Sequence, residues 1–252
     1  MIFSETPRTI ADPNRALVFK IVTVPDVAGL RLLHGLPAAL ADNEVVEFAY
    51  QKGRALADAS NASDVLALYL QRVVSIACCM QDEQQFRAVS LVADDNDEAA
   101  LIQRFFDLLE QERAQPVSWN GAHFDWPVLR SRSMVCGAVF AQENTGPYYL
   151  QSLLAAPSGG QSSLHELAGL CSFPRTPRLP DSQIWHAWRN GRADEVHMHC
   201  ATEAVICHLL YLRWLMISDV LDATQYANRI QMIRDTLEAA DAQPWREFLE
   251  DW

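Results

Sequence analysis

The segment SWNGAHFDWPVL, residues 118–129, holds the end of a strand, a turn and the beginning of a helix. The run PVSWNG, residues 116–121, is typical of a short strand that ends in a turn, because Asn-Gly is a common turn dipeptide. The residues that follow, FDWPVLRSRSM, are predicted to open a helix. Asp125 comes directly after the strand and turn, a position at which aspartate commonly caps a helix.

Three further segments have the composition of strands. ALVFKIVTV, residues 16–24, is β-branched and apolar, and Pro25 and Asp26 follow it, which predicts a buried strand stopped by proline. RVVSIACCM (72–80) and QFRAVSLVA (85–93) are joined by a polar turn, which predicts a hairpin. A hairpin beside an otherwise alternating pattern of strands and helices predicts a mixed sheet.

The spacing of apolar residues predicts helices around this sheet. They fall within residues 37–68, 99–112, 163–173 and 194–217, with one or two more before residue 252. Residues 94–98 supply cap chemistry for the second of these helices, and residues 137–160 are irregular. The predicted fold class is therefore α/β, a mixed central sheet flanked by helices, with a helical C-terminal half. We predict an N-terminal tail over residues 1–14 and a single domain over residues 15–252.

The composition is that of a folded, soluble protein. Half of the residues are hydrophobic and 21% are charged, and we expect a cytoplasmic protein that does not associate with a membrane. The 6 cysteines lack regular spacing, so reduced thiols are expected. The formal net charge of −12 repels nucleic acid on average, so any such binding must be local.

Several phrases of the sequence, taken in order, form a recognisable pattern. Besides the first strand and the VPD that ends at Asp26, they are RVVSIACC, DNDEAALIQRFF, WNGAHFDWPVL, LHELAGLCSFP, IWHAW and PWREFLEDW. Together they resemble the predicted 3'-5' exonuclease family related to the proofreading domain of family B DNA polymerases. The resemblance covers nearly the whole chain. It implies an RNase H-like, exonuclease-like fold of the DEDD class.

The resemblance also implies a two-metal chemistry for the family. Two Mg²⁺ or Mn²⁺ ions about 4 Å apart hold the attacking water and the leaving oxygen of a phosphodiester. Such hard cations need oxygen ligands, mostly carboxylates. The family supplies an Asp and a Glu two residues apart on the first strand, an Asp in the NGxxFD turn, and an Asp on a late helix, four residues after a Tyr.

This chain keeps only part of that set. The first-strand pair falls on Lys20 and Val22, which we name the substituted catalytic positions. Asp125 is retained in the turn, whereas the late helix has Glu203 for the Asp and His199 for the Tyr. Asp125, Glu203 and His199 are thus the remnant catalytic positions, and we expect neither a bound metal nor another cofactor.

The retained turn also carries the predicted nucleic-acid contacts. By the resemblance these are Asn120, Gly121 and Phe124, to which we add Arg130. Other basic residues expected near the old cleft are Lys20, Arg132, Arg175 and Arg178.

Two residue clusters have alternative explanations. His199 and Glu203 are i, i+4 on a predicted helix, a spacing that could bind a transition metal or form only a surface contact. Four further candidate ligands lie nearby in the sequence: His197, Cys200, Cys207 and His208. Five of the 7 tryptophans could stack bases, but their helical spacing favours packing; they are Trp185, Trp188, Trp214, Trp245 and Trp252.

The leading hypothesis is a degenerate exonuclease, a pseudoenzyme that binds single-stranded nucleic acid or a protein partner. The alternative is an active Mg²⁺- or Mn²⁺-dependent exonuclease with a rearranged site that recruits Asp26 or Asp194. A pure interaction scaffold is a third possibility, and the oligomeric state stays open. Because Lys20 stands in an apolar strand, its amine needs a counter-charge. By the resemblance, this strand position faces Asp125 and Glu203, so we expect the amine to pair with one or both of them.

Overall fold

A computed structural model describes residues 12–60, 66–93, 97–139, 148–154, 162–175 and 179–252, with backbone only for residues 54–60. Arg178 and residues 94–96 of the predicted cap lie outside the described residues, as does most of the predicted tail. The end of that tail is described. Asp12 accepts a hydrogen bond from the backbone N–H of Asn14, and Asn14 Oδ1 accepts one from Arg229 Nη2.

A five-stranded mixed sheet forms the centre of the molecule, as predicted. Its strands, in chain order, are β1 (Ala16–Pro25), β2 (Gln71–Gln81), β3 (Phe86–Val92), β4 (Gln115–Ser118) and β5 (Tyr148–Tyr149). The spatial order is β3-β2-β1-β4-β5. The predicted hairpin pairs β2 with β3, β1 is antiparallel to β2, and β4 is parallel to both β1 and β5.

Helices flank the sheet, and they fill the C-terminal half of the chain. They are α1 (Val27–His34), α2 (Asp42–Ser60), α3 (Glu98–Glu112), α4 (Trp126–Cys136), α5 (Leu150–Leu154), α6 (Leu164–Leu170), α7 (Asp181–Arg189), α8 (Ala193–Ile217), α9 (Ala223–Ala239) and α10 (Gln243–Glu250). The sequence did not predict α1 or α7, and the prediction that residues 137–160 are irregular is wrong where β5 and α5 lie. Asp26 begins α1 by accepting a hydrogen bond from Gly29 N–H, and Gly35 ends it in the left-handed conformation.

Strand β1 is buried on both faces, which explains its nearly continuous apolar composition. Leu17, Phe19 and Ile21 pack into the core formed with α3 and α4. Val18 and Val22 pack on the opposite face, in the core that contains most of α8. Because side chains alternate along a strand, Lys20 belongs to the α8 face.

Helix α8 is the central helix of the protein. It is long and apolar enough to cross a membrane, which was not recognised from the sequence, but 78% of its most apolar window is buried inside the protein. Most of its residues from Val196 to Leu215 are buried. The helix contacts β1, β2 and β3, so it covers one face of the sheet.

A buried network of ion pairs connects α4 to α3 and to Asp26, the residue that follows β1. The Arg132 guanidinium on α4 donates to both Glu98 carboxylate oxygens, at 2.9 and 2.5 Å, and to Asp26 Oδ2 at 2.8 Å. It also donates to Tyr69 O at 2.6 Å. Glu98 in turn accepts from Val73 N–H on β2. The prediction that Arg132 belongs to the cleft is therefore wrong, because the charges of two acids hold it inside the fold.

Arg132→Ala should destabilise the protein by about 3–5 kcal/mol, because the change leaves two carboxylates buried without their partner. Arg130→Ala is the matched control: Arg130 is exposed two residues earlier on the same helix, and its loss should cost less than about 0.5 kcal/mol. Urea unfolding followed by circular dichroism measures both variants. Equal stability of the two would contradict the structural role of the network.

His208 is buried on α8 and shares a hydrogen bond of 3.1 Å with Gln81 Oε1. The Gln81 amide also donates to Arg229 O at 3.0 Å, so the contact links α8, β2 and α9. Burial, assisted by the charge of Arg229, lowers the pKa of His208 to about 3 from its ordinary 6.5. His208 is therefore neutral in the folded protein at any pH near neutrality.

This lowered pKa predicts acid sensitivity. The unfolded chain takes up a proton at His208 below pH 6.5, whereas the folded chain does so only near pH 3. The contribution of neutral His208 to the free energy of unfolding is complete above pH 6.5. It decreases as the pH falls below that value, by about 1.4 kcal/mol per pH unit. Relative to His208→Gln, the wild type should lose about 2 kcal/mol between pH 6.5 and 5.0 in urea unfolding. Parallel pH profiles would contradict the assignment.

Candidate functional site

A cleft of about 450 Å³ opens beside β1. The structure brings together in its lining most of the residues predicted from the sequence: Lys20, Val22, Asn120, Phe124, Asp125, His199 and Glu203. Helices α2, α6 and α7 supply the remaining wall, with Tyr50, His165 and Trp185 among the lining side chains. We call this space the cleft.

The turn between β4 and α4 positions Asp125. Residues Gly121–Asp125 form one wide π-helical turn, in which Asn120 O accepts hydrogen bonds from the N–H groups of His123 and Phe124. Gly121 packs so closely on the Tyr149 ring that a Cβ would lie 2.7 Å from it. Gly121 is therefore required for packing, and it is not among the residues that line the cleft.

Asp125 is fully buried at the start of α4. Its side chain caps no backbone N–H of the helix, so the capping explanation is wrong. Instead, Asp125 Oδ2 accepts a short hydrogen bond from Ser118 Oγ at the end of β4. The local sequence therefore holds the carboxylate toward β1 rather than along its own helix.

The expected ion pair of Lys20 is confirmed with one of the two acids. Lys20 Nζ lies 3.9 Å from Asp125 Oδ1, with the two side chains 16% and 1% exposed. Burial alone would lower the pKa of Lys20, but the charges of Asp125 and Glu203 outweigh it and raise that pKa. The ammonium is therefore charged at neutral pH.

Glu203 has a different partner, which was not predicted from the sequence. His165 Nε2 on α6 lies 3.0 Å from Glu203 Oε1 on α8. Burial raises the pKa of Glu203, but the hydrogen bond from His165 and the charge of Lys20 outweigh it and lower that pKa. The same hydrogen bond raises the pKa of His165. The one signal for His165 was its place in the phrase LHELAGLCSFP, and nothing there identified its partner.

The histidines and cysteines for which a metal site was one of two alternatives are not gathered around one point among the described residues. No group of three or more His, Cys, Asp or Glu side chains able to hold a metal occurs within the described part of the chain. His199 lines the cleft, and burial lowers its pKa, so it is neutral. Cys200 Sγ contacts Lys20 O at 3.4 Å, and His208 bonds to Gln81.

The residues present do not fit the two-metal centre of the related nucleases. Val22 supplies no ligand, and the Lys20 ammonium stands beside Asp125 where a cation would need oxygen ligands. Glu203 is already engaged by His165. Asp26, a ligand in the alternative hypothesis, is bound to Arg132, and Asp194 does not line the cleft.

The other predicted binding residues are dispersed. Arg130 and Arg175 are exposed, and neither lines the cleft. The five tryptophans considered as base-stacking residues all pack against the core around α8, as favoured, and Trp185 lines the cleft as well; the other four are Trp188, Trp214, Trp245 and Trp252. Tyr50 and Asp181 also line the cleft, and neither was predicted from the sequence.

Lys20→Met should destabilise the fold by about 3–5 kcal/mol, because it leaves Asp125 buried and unpaired. Adding Asp125→Asn should recover part of that loss, since the stranded charge is then removed. Urea unfolding of both single variants and the double variant gives the coupling energy. Strictly additive effects would show that the two groups do not interact.

Comparisons with known proteins agree with this architecture. Residues 63–145 and 144–252 match the model of a family described as predicted 3'-5' exonucleases related to the exonuclease domain of PolB. The catalytic subunit of DNA polymerase epsilon from Saccharomyces cerevisiae is 43% identical over 47 residues, 18% of this chain and 2% of that protein. The chain thus aligns with only a small part of that relative. No solved structure matches this chain. This chain belongs to the family of predicted 3'-5' exonucleases related to the exonuclease domain of PolB.

Proposed function

We propose that this protein is an exonuclease-like binding module that lacks two-metal nuclease activity. The observation that carries the proposal is the Lys20 ammonium 3.9 Å from Asp125 Oδ1. By the resemblance, Lys20 stands at the position of a metal-binding carboxylate. The family match begins at residue 63 and does not include Lys20 and Val22. Their assignment to metal-ligand positions therefore depends on the resemblance and on the geometry around Asp125.

Electrostatics supports the loss of catalysis. In a partly dry site an ammonium repels a divalent cation at the same carboxylate by several kcal/mol. The two acids that remain each have a partner already, Asp125 in Lys20 and Glu203 in His165. A metal would have to displace both partners before it could bind, so the cluster acts as a structural substitute for the metal ions.

Charge also bears on the partner. The formal net charge is −12, and the cleft is lined by the carboxylates of Asp125, Asp181 and Glu203 against the ammonium of Lys20. Without metal ions such a cleft disfavours the phosphates of single-stranded nucleic acid. Of the two partner classes expected from the sequence, we therefore propose a protein partner before nucleic acid.

The decisive test combines metal binding with cleavage. Neither Mg²⁺ nor Mn²⁺ should raise the melting temperature or support digestion of labelled single-stranded DNA or RNA. A true site at a hundredfold excess of metal over Kd would add about 2.7 kcal/mol, roughly 5–10 °C in a chain of this size. Differential scanning fluorimetry and denaturing gels provide the two readouts.

Asp125→Asn is the control for contaminating nuclease, because it removes the retained acid while keeping its shape. Products that persist in this variant come from a contaminant. A metal-dependent rise in melting temperature, together with products that disappear in Asp125→Asn, would establish the active exonuclease instead.

A further inference from the structure

The cleft carries more hydrogen-bond acceptors and negative charge than its own residues neutralise. Its three carboxylates come from separate elements: Asp125 from the turn before α4, Asp181 from α7 and Glu203 from α8. Among the described lining residues, Lys20 is the one lysine or arginine. His165 is committed to Glu203. The carboxylates and other acceptors of the cleft therefore outnumber its cationic groups.

Three buried oxygens of lining residues make no hydrogen bond of good geometry to a described residue: Asp125 Oδ1, Asn120 Oδ1 and Glu203 Oε1, the last although His165 Nε2 lies 3.0 Å away. The Asp125 side chain is only 1% exposed, and Lys20 Nζ, at 3.9 Å, is too distant to donate to it. A buried acceptor that forms no hydrogen bond costs free energy. These oxygens add to the negative potential of the cleft, although they have almost no exposed surface of their own.

Aromatic side chains stand on both walls. Phe124 lies on the turn that holds Asp125, and Tyr50 and Trp185 come from α2 and α7. Trp185 is fixed in place because its Nε1 donates to Asn43 Oδ1 at 3.2 Å. Aromatic faces next to carboxylates favour organic cations, which gain from both. The cleft volume of about 450 Å³ is within the range of small-ligand sites.

We infer that the cleft binds an organic cation that donates N–H hydrogen bonds, the chemistry of an arginine or lysine side chain or of a polyamine. The inference rests on the proposed function, because two metal ions would otherwise neutralise the same carboxylates. The cation pairs with Asp181, the most exposed of the three carboxylates, between the aromatic walls. The net charge of −12 attracts it over long range and repels phosphates.

Titration calorimetry of the full chain at low salt tests this inference with two probes, spermidine and an end-blocked peptide that contains arginine and glycine. Asp181→Asn should weaken binding by about fivefold, the effect of about 1 kcal/mol from one partly exposed charge. Asp194→Asn is the matched control, since Asp194 also lies in the first turn of a helix but outside the cleft. It should change affinity by less than about twofold.

The two probes separate the sources of the cation. Tighter binding of spermidine would identify a free polyamine as the ligand, and tighter binding of the peptide would identify a protein segment; both support the cation site. Equal losses in the two aspartate variants, or no binding of either probe at millimolar concentration, would overturn it. Single-stranded DNA that binds the wild-type chain and displaces a bound probe would also overturn it. Metal-dependent cleavage would instead refute the proposed function, and the fluorimetry and gel assays detect that separately.

Discussion

One charged side chain in the central strand governs the site. A lysine in a strand buried on both faces must find a counter-charge, because an unpaired ammonium in an apolar interior is very costly. Lys20 meets this requirement through Asp125, which Ser118 orients from the neighbouring strand. Glu203, held by His165, contributes to the same field. The two carboxylates that, by the resemblance, stand at metal-ligand positions are thereby engaged by partners within the chain itself.

The sheet and the ion pair could be predicted from the sequence because each depends on the chemistry of a few neighbouring residues. Apolar, β-branched runs predicted β1 and the hairpin, and the cost of burying Lys20 predicted that it has a partner, which the family resemblance identified as Asp125 or Glu203. The retained NGxxFD turn indicated where Asp125 would lie. In each case the chemistry of a few adjacent residues, or one strong energetic requirement, determined the structure.

The remaining features depend on contacts between distant segments. Arg132 looks like any surface arginine in sequence, and only the approach of Asp26 and Glu98 makes it internal. His165 lies 38 positions before Glu203, and no spacing rule connects them. Helix α7 follows a proline-rich loop and was therefore overlooked, although it supplies Asp181 and Trp185 to the cleft.

The central claim is that an ammonium occupies the space of the metal ions. Crystals soaked in Mn²⁺ and measured near the manganese absorption edge address it directly. The account predicts density for the Lys20 amine next to Asp125 and no anomalous peak between Asp125 and Glu203. An anomalous peak coordinated by these two carboxylates, with Lys20 displaced, would contradict it.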